Sequence, residues 1–133
     1  AALYPADTAP SSYAAAKSIT APGLIIGSER EDLFRAGNPA QLADNWGGEV
    51  AYRELAKGTQ AGFTEDRLFK LAVGSGAFQS GPTETARALV TGFLLSTLAG
   101  ESKYDDFAEA DASAKGVKSI FGEELRKKAG IHR

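Results

Sequence analysis

The chain has no cysteine and no methionine, and its one histidine, His132, stands second from the end. Without cysteine there are no disulfides, thiolate zinc sites, iron–sulfur clusters, thiol nucleophiles or thioether-linked pigments. A single terminal histidine argues against a histidine-rich metal site and against a buried imidazole base. An excess of charge is also missing, since 15 basic residues face 17 acidic ones and the net charge is −2. That balance, with no basic face carrying interleaved aromatics, argues against a protein that coats nucleic acid or an anionic membrane. No apolar run reaches the roughly 18 residues of a membrane helix. The nearest, Ala88–Ala99, carries Thr91, Gly92, Ser96 and Thr97. The expectation is a chain with no cofactor, metal ligand or catalytic residue of its own, at most peripheral to a membrane complex.

What is present is ordinary for a globular domain: 43% hydrophobic and 24% charged residues over 133 positions, enough for one core. The start Ala1-Ala2-Leu3, in a chain without methionine, reads as a processed terminus, which suggests an organelle.

Residues 1–27 form the first segment. They hold Pro5, Pro10 and Pro22, with Asp7 and Lys17 as the only charged side chains. Proline fixes its own φ and pushes the preceding residue away from helix, so an extended arm is expected. Such an arm cannot offset its chain entropy alone and needs a surface to lie on. Tyr4 and Tyr13 are the aromatics suited to anchoring it in a partner, and Leu24, Ile25 and Ile26 add an apolar patch.

Residues 28–133 read as helices. Ser28 with Glu31 makes a capping box, opening a short helix that stops at Gly37. Asn38-Pro39 is a second start, with Asn as cap and Pro at the first helical position, and this helix could run to Lys57. Gly47-Gly48 either breaks it or admits another backbone. Thr64-Glu65-Asp66 opens a third helix, along which Leu68, Leu71, Ala72, Ser75 and Phe78 follow helical spacing. Gly81-Pro82-Thr83 restarts a fourth, whose Ala86, Leu89, Val90, Phe93, Leu94, Thr97 and Leu98 make one apolar face ending at Gly100. Ser102 with Asp105 caps a fifth, striped by Phe107, Ala110, Ala114, Val117, Phe121 and Leu125. No sustained strand alternation is visible. The expected fold is therefore all-α: a four-helix bundle-like domain with a short extra helix and an extended N-terminal arm.

Candidate chemistry is sparse. Gly76 and Gly81 have the spacing of a phosphate-binding loop, but Pro82 stands where its lysine belongs and no strand pattern precedes them. Carboxylates at Glu29, Glu31 and Asp32, at Asp105 and Asp106, and at Glu123 and Glu124 sit where helix dipoles account for them, and no calcium-loop spacing occurs. No nucleophile elbow is present. Along the fifth helix, residues 101–111 carry five acids and one lysine, and 115–133 carry six basic residues and two acids. That order complements the helix dipole; it also presents Arg126, Lys127 and Lys128 to an acidic partner.

These observations lead to a non-enzymatic accessory or linker subunit that docks on other protein subunits of a larger complex. The partner-binding residues would be Tyr4, Tyr13, Leu24, Ile25, Ile26, Arg126, Lys127 and Lys128. Two alternatives stay open: a carrier of a small apolar ligand in space made by Gly47, Gly48, Gly74 and Gly76, and a carboxylate-based enzyme. In its proline-containing arm at Ala1–Gly27, processed start and four-helix reading of 39–128, the chain resembles the four-helix extrinsic proteins of photosystem II, of the Q type and related kinds. That resemblance implies a chloroplast location on the lumenal side of the thylakoid, and stabilisation of a pigment–protein complex.

Overall fold

The computed structural model describes residues 1–3, 11–28, 37–56, 80–112 and 114–130. Their centre is not a helical bundle but a four-stranded sheet: β1 (Ala2–Leu3), β2 (Gly23–Ser28), β3 (Val50–Leu55) and β4 (Val117–Ser119), side by side in chain order. The first three strands run parallel, and β4 returns antiparallel to β3. Helices α1 (Ser12–Ala16), α2 (Pro39–Asp44), α3 (Ser80–Thr97) and α4 (Gly122–Lys128) cover the sheet, with a 3-10 helix at Ser102–Phe107. The fold is α/β, and the all-α expectation is overturned.

The reason lies in burial. A parallel strand covered on both faces shows no polar alternation; it is a short, continuous apolar run. Gly23 to Gly27 are buried without exception, and so are Ala51 to Leu55. Leu24 and Ile26 face one core, with Ala51, Leu55 and Val117 of the sheet and Ala86, Leu89 and Phe93 of α3. Ile25 and Tyr52 face the other, with Ala16 of α1, Ala40, Leu42 and Ala43 of α2, and Leu125 and Ala129 in and after α4. The segment expected to be an arm thus supplies one of the two interior strands, and the boundary drawn between 27 and 28 falls inside β2.

The second expected helix stops at Asp44, and its second half is β3. Asn38 does cap α2, its Oδ1 accepting from the Ala40 and Gln41 amides at 3.0 and 3.3 Å, with Pro39 at the first helical position. Beyond it, Gly47 and Gly48 lie against the backbone of 17–21: a Cβ on Gly48 would stand 2.6 Å from the Thr20 carbonyl oxygen. The double glycine both ends the helical stretch and admits a neighbouring chain. The expected fifth helix is likewise divided into the 3-10 helix, β4 and α4. Gly116 and Gly122 have φ of +77° and +58°, a conformation that interrupts a right-handed helix. Helix α3 matches expectation in extent and ends in a glycine stop: Gly100, at φ +69°, donates its amide to Ser96 O at 3.1 Å while Glu101 donates to Leu95 O at 3.0 Å. The expected helices over 29–36 and 64–78, and residues 74–79 of the glycine-rich run, lie outside the described residues.

Replacing Gly48 by alanine forces backbone against backbone and is expected to lower the unfolding free energy by about 1–3 kcal/mol in denaturant titration. Gly81→Ala, where an added Cβ meets nothing within 4 Å, should leave stability unchanged or raise it by up to about 1 kcal/mol.

Candidate functional site

Three places in the described structure gather chemistry-bearing groups. The first is the carboxyl edge of the parallel strands. The register pairs Gly23 with Val50 and Ser28 with Leu55, so β2 and β3 end at the same level. The antiparallel β4 starts there too, with Val117 opposite Leu55 and the Ala56 amide donating to Gly116 O at 3.2 Å. Half-buried Ser28, exposed Ala56 and exposed Lys115 and Gly116 belong to this edge. Open α/β sheets bind ligands outside the carboxyl ends of their strands where the strand order reverses; here the strands lie in chain order, so this edge offers its strand ends and connections without such a reversal. The residues that follow Ser28 in sequence, Glu29-Arg30-Glu31-Asp32, are the most densely charged run in the chain; they lie outside the described residues.

The second place is beneath α4. Glu54 is only 5% exposed, and its carboxylate forms an ion pair with Lys128. Lys118, opposite Glu54 across β3 and β4, pairs with Glu124. Arg126 reaches Asp44 of α2 at 3.9 Å, and the Asn38 side chain donates to Lys128 O at 3.2 Å. Glu123 and Glu124 occupy the first turn of α4, and Arg126, Lys127 and Lys128 its last, the order that opposes the helix dipole.

The third is Arg53, 2% exposed, on the other face of the sheet. Its guanidinium donates to Glu109 O and, at 3.1 Å, to Ala110 O, while Ser119 beside it donates to Ala112 O. Burial pushes the guanidinium below its usual value and nearby Asp111 opposes that shift. The arrangement is a clamp that holds residues 109–112 against the sheet.

The residues expected to bind a partner are dispersed. Leu24, Ile25 and Ile26 are interior to β2 and at most 1% exposed, so they face no partner. Tyr13 is half-buried against the α2 side of the core, and its hydroxyl accepts from the Asn38 amide at 2.6 Å. Tyr4 lies outside the described residues. Arg126, Lys127 and Lys128 do share α4, with Lys128 committed to Glu54 and Lys127 exposed. Gly47 and Gly48, expected to leave room for a ligand, leave room for backbone instead. Sequence reading missed Arg53 and Glu54. A charged pair in the middle of Val50-Ala51-Tyr52-Arg53-Glu54-Leu55 suits a solvent-facing helix as well as a strand whose charges are paired inside. Among the described residues no cluster of carboxylates and histidine suits a metal ion, and no helix is long and apolar enough to cross a membrane.

No family model, curated protein or solved structure matches the chain. The four-helix reading that carried the photosystem resemblance is replaced by an α/β sheet, so that resemblance goes no further.

Lys128→Met strands the Glu54 carboxylate in the interior and should cost about 2–3 kcal/mol, while Glu54→Met/Lys128→Met should recover most of that in denaturant melts. Arg53→Met leaves two carbonyls without their donor. A loss of about 2–4 kcal/mol is expected, with faster amide exchange concentrated in 109–112.

Proposed function

We propose that this chain is a small-molecule-binding α/β domain whose site lies at the carboxyl edge of β2 and β3. The observation that carries the reading is the register that ends both strands together at Ser28 and Leu55, with helices packed on both faces of the sheet. The alternatives expected from sequence fit the architecture less well. An accessory subunit would dock through its arm, yet part of that arm is an interior strand of the sheet. A carrier would hold its ligand between bundle helices, in room that at Gly47 and Gly48 is filled by the chain itself.

The chemistry available supports a polar ligand. Half-buried Ser28 carries a hydroxyl and exposed Lys115 a cation at the edge. A cation and a hydroxyl at one edge suit a small molecule bearing hydroxyl, carboxylate or phosphate groups. The basic end of α4 is less suited, because Lys128 and Arg126 already meet carboxylates of the same chain.

The test is an amide-resolved NMR titration with acetate, glucose and adenosine monophosphate as separate probes. At least one probe should shift Gly27, Ser28, Ala56 and Gly116 together, and Ser28→Ala or Lys115→Ala should weaken that response several-fold. If none of the three moves these amides, or the shifts gather on α4 around Lys127, the carboxyl-edge reading is wrong.

A further inference from the structure

Helix α4 is fastened to the sheet mainly by charge. Within 122–130 only Leu125 and Ala129 are buried. Ion pairs do the rest: Lys128 with Glu54 of β3, Arg126 with Asp44 of α2 at 3.9 Å, and Lys118 of β4 with Glu124. The last two lie at the surface, where such pairs contribute little. Glu54 alone is inside, and Lys128 is its one ion-pair partner among the described residues. The helix has 7 residues, too few to persist in water without a surface to pack on. Its entry is open as well. The β4 ladder closes with the Ile120 amide donating to Tyr52 O at 3.2 Å; after it Phe121 is 51% exposed, and Gly122 has φ +58° with nothing within 4 Å of where a Cβ would stand.

We propose that α4 is an ionic latch, which docks and undocks as one unit about Phe121–Gly122 and is held shut by the Glu54–Lys128 pair. Shut, it covers Glu54 and adds Leu125 and Ala129 to the core of Ile25, Tyr52 and Ile120. Open, it returns Glu54 and Lys128 to water. Their hydration there offsets most of the attraction between them, so the pair contributes little net stability beside apolar side chains of the same size. The balance between the two positions is therefore close. Salt moves it toward opening, because dissolved ions stabilise separated, hydrated charges more than paired ones. The opposite face provides the contrast. There Arg53 is met by the carbonyls of Glu109 and Ala110, and Phe107 seats against Gly92, where a Cβ would stand 2.5 Å from its ring. No charge pair has to part for that segment to leave, so it lacks the salt response.

The test is residue-resolved amide hydrogen exchange on the full chain, in about 20 mM and about 0.5 M sodium chloride. The amides of Leu125, Ala129 and Gly130 donate to Phe121 O, Leu125 O and Lys127 O. They should share one protection factor, at least about tenfold below those of β3, and low urea should lower it for all three in step. Fraying from the chain end would instead be graded along the helix and indifferent to urea. High salt should lower α4 protection several-fold and leave unchanged the Ala108 and Glu109 amides, which donate to Asp105 O. Glu54→Gln should lower α4 protection at least about fivefold, while Glu54→Met/Lys128→Met should raise it above wild type and remove the salt response. Protection in α4 equal to that of β3 would overturn the latch. So would graded, urea-indifferent exchange, protection that neither salt nor Glu54→Gln changes, or a double variant that keeps the salt response.

Discussion

The parallel pairing of Gly23–Ser28 with Val50–Leu55 governs the rest of the molecule. A strand pair buried on both faces needs helices above and below, and it needs every backbone amide and carbonyl satisfied within the ladder. The short pairs and close approaches around it follow from that demand. Gly47 and Gly48 let the chain entering β3 run against the chain that precedes β2. Trp46 donates its indole N–H to Ala21 O at 2.9 Å, tying the same two segments by a side chain. The sheet is therefore tied at the amino ends of β2 and β3 by both backbone and side chain.

The two charges inside β3 show how such a strand admits polar residues. Arg53 and Glu54 are neighbours in sequence, but the strand's alternation sends them to opposite faces, so they cannot neutralise one another. Each is satisfied by an element that arrives much later in the chain: Arg53 by the carbonyls of Glu109 and Ala110, Glu54 by Lys128. A buried ion of this kind contributes little net stability compared with an apolar side chain, but mispairing it is costly. The two residues thus act as addresses, one for the 109–112 segment and one for α4. They make the C-terminal third of the chain dock in one way on each face.

How much of this was legible in the sequence depends on whether an element's signal is local. The Asn38-Pro39 start and the extent of α3 with its Gly100 stop are short-range features, and the structure keeps them. The strands were not legible, because Leu24-Ile25-Ile26 and Ala51-Tyr52 carry no polar alternation once both faces are covered. Without that alternation, a run of six residues fits a helical stripe as easily as a strand. Helical spacing from Phe107 to Leu125 was likewise real in the sequence but false in space, since Gly116 and Gly122 adopt positive φ between its two halves. The carboxyl edge could not be foreseen while the strands themselves were hidden; the candidate site is a property of their register.

The surplus apolar character of α3 has a similar logic. A helix packed on a sheet needs a stripe only as wide as the groove it fills, and Ala86, Leu89 and Phe93 supply that width. Extending the stripe to Leu94 and Leu98 adds nothing to this packing and leaves apolar surface in water, which solubility alone would select against.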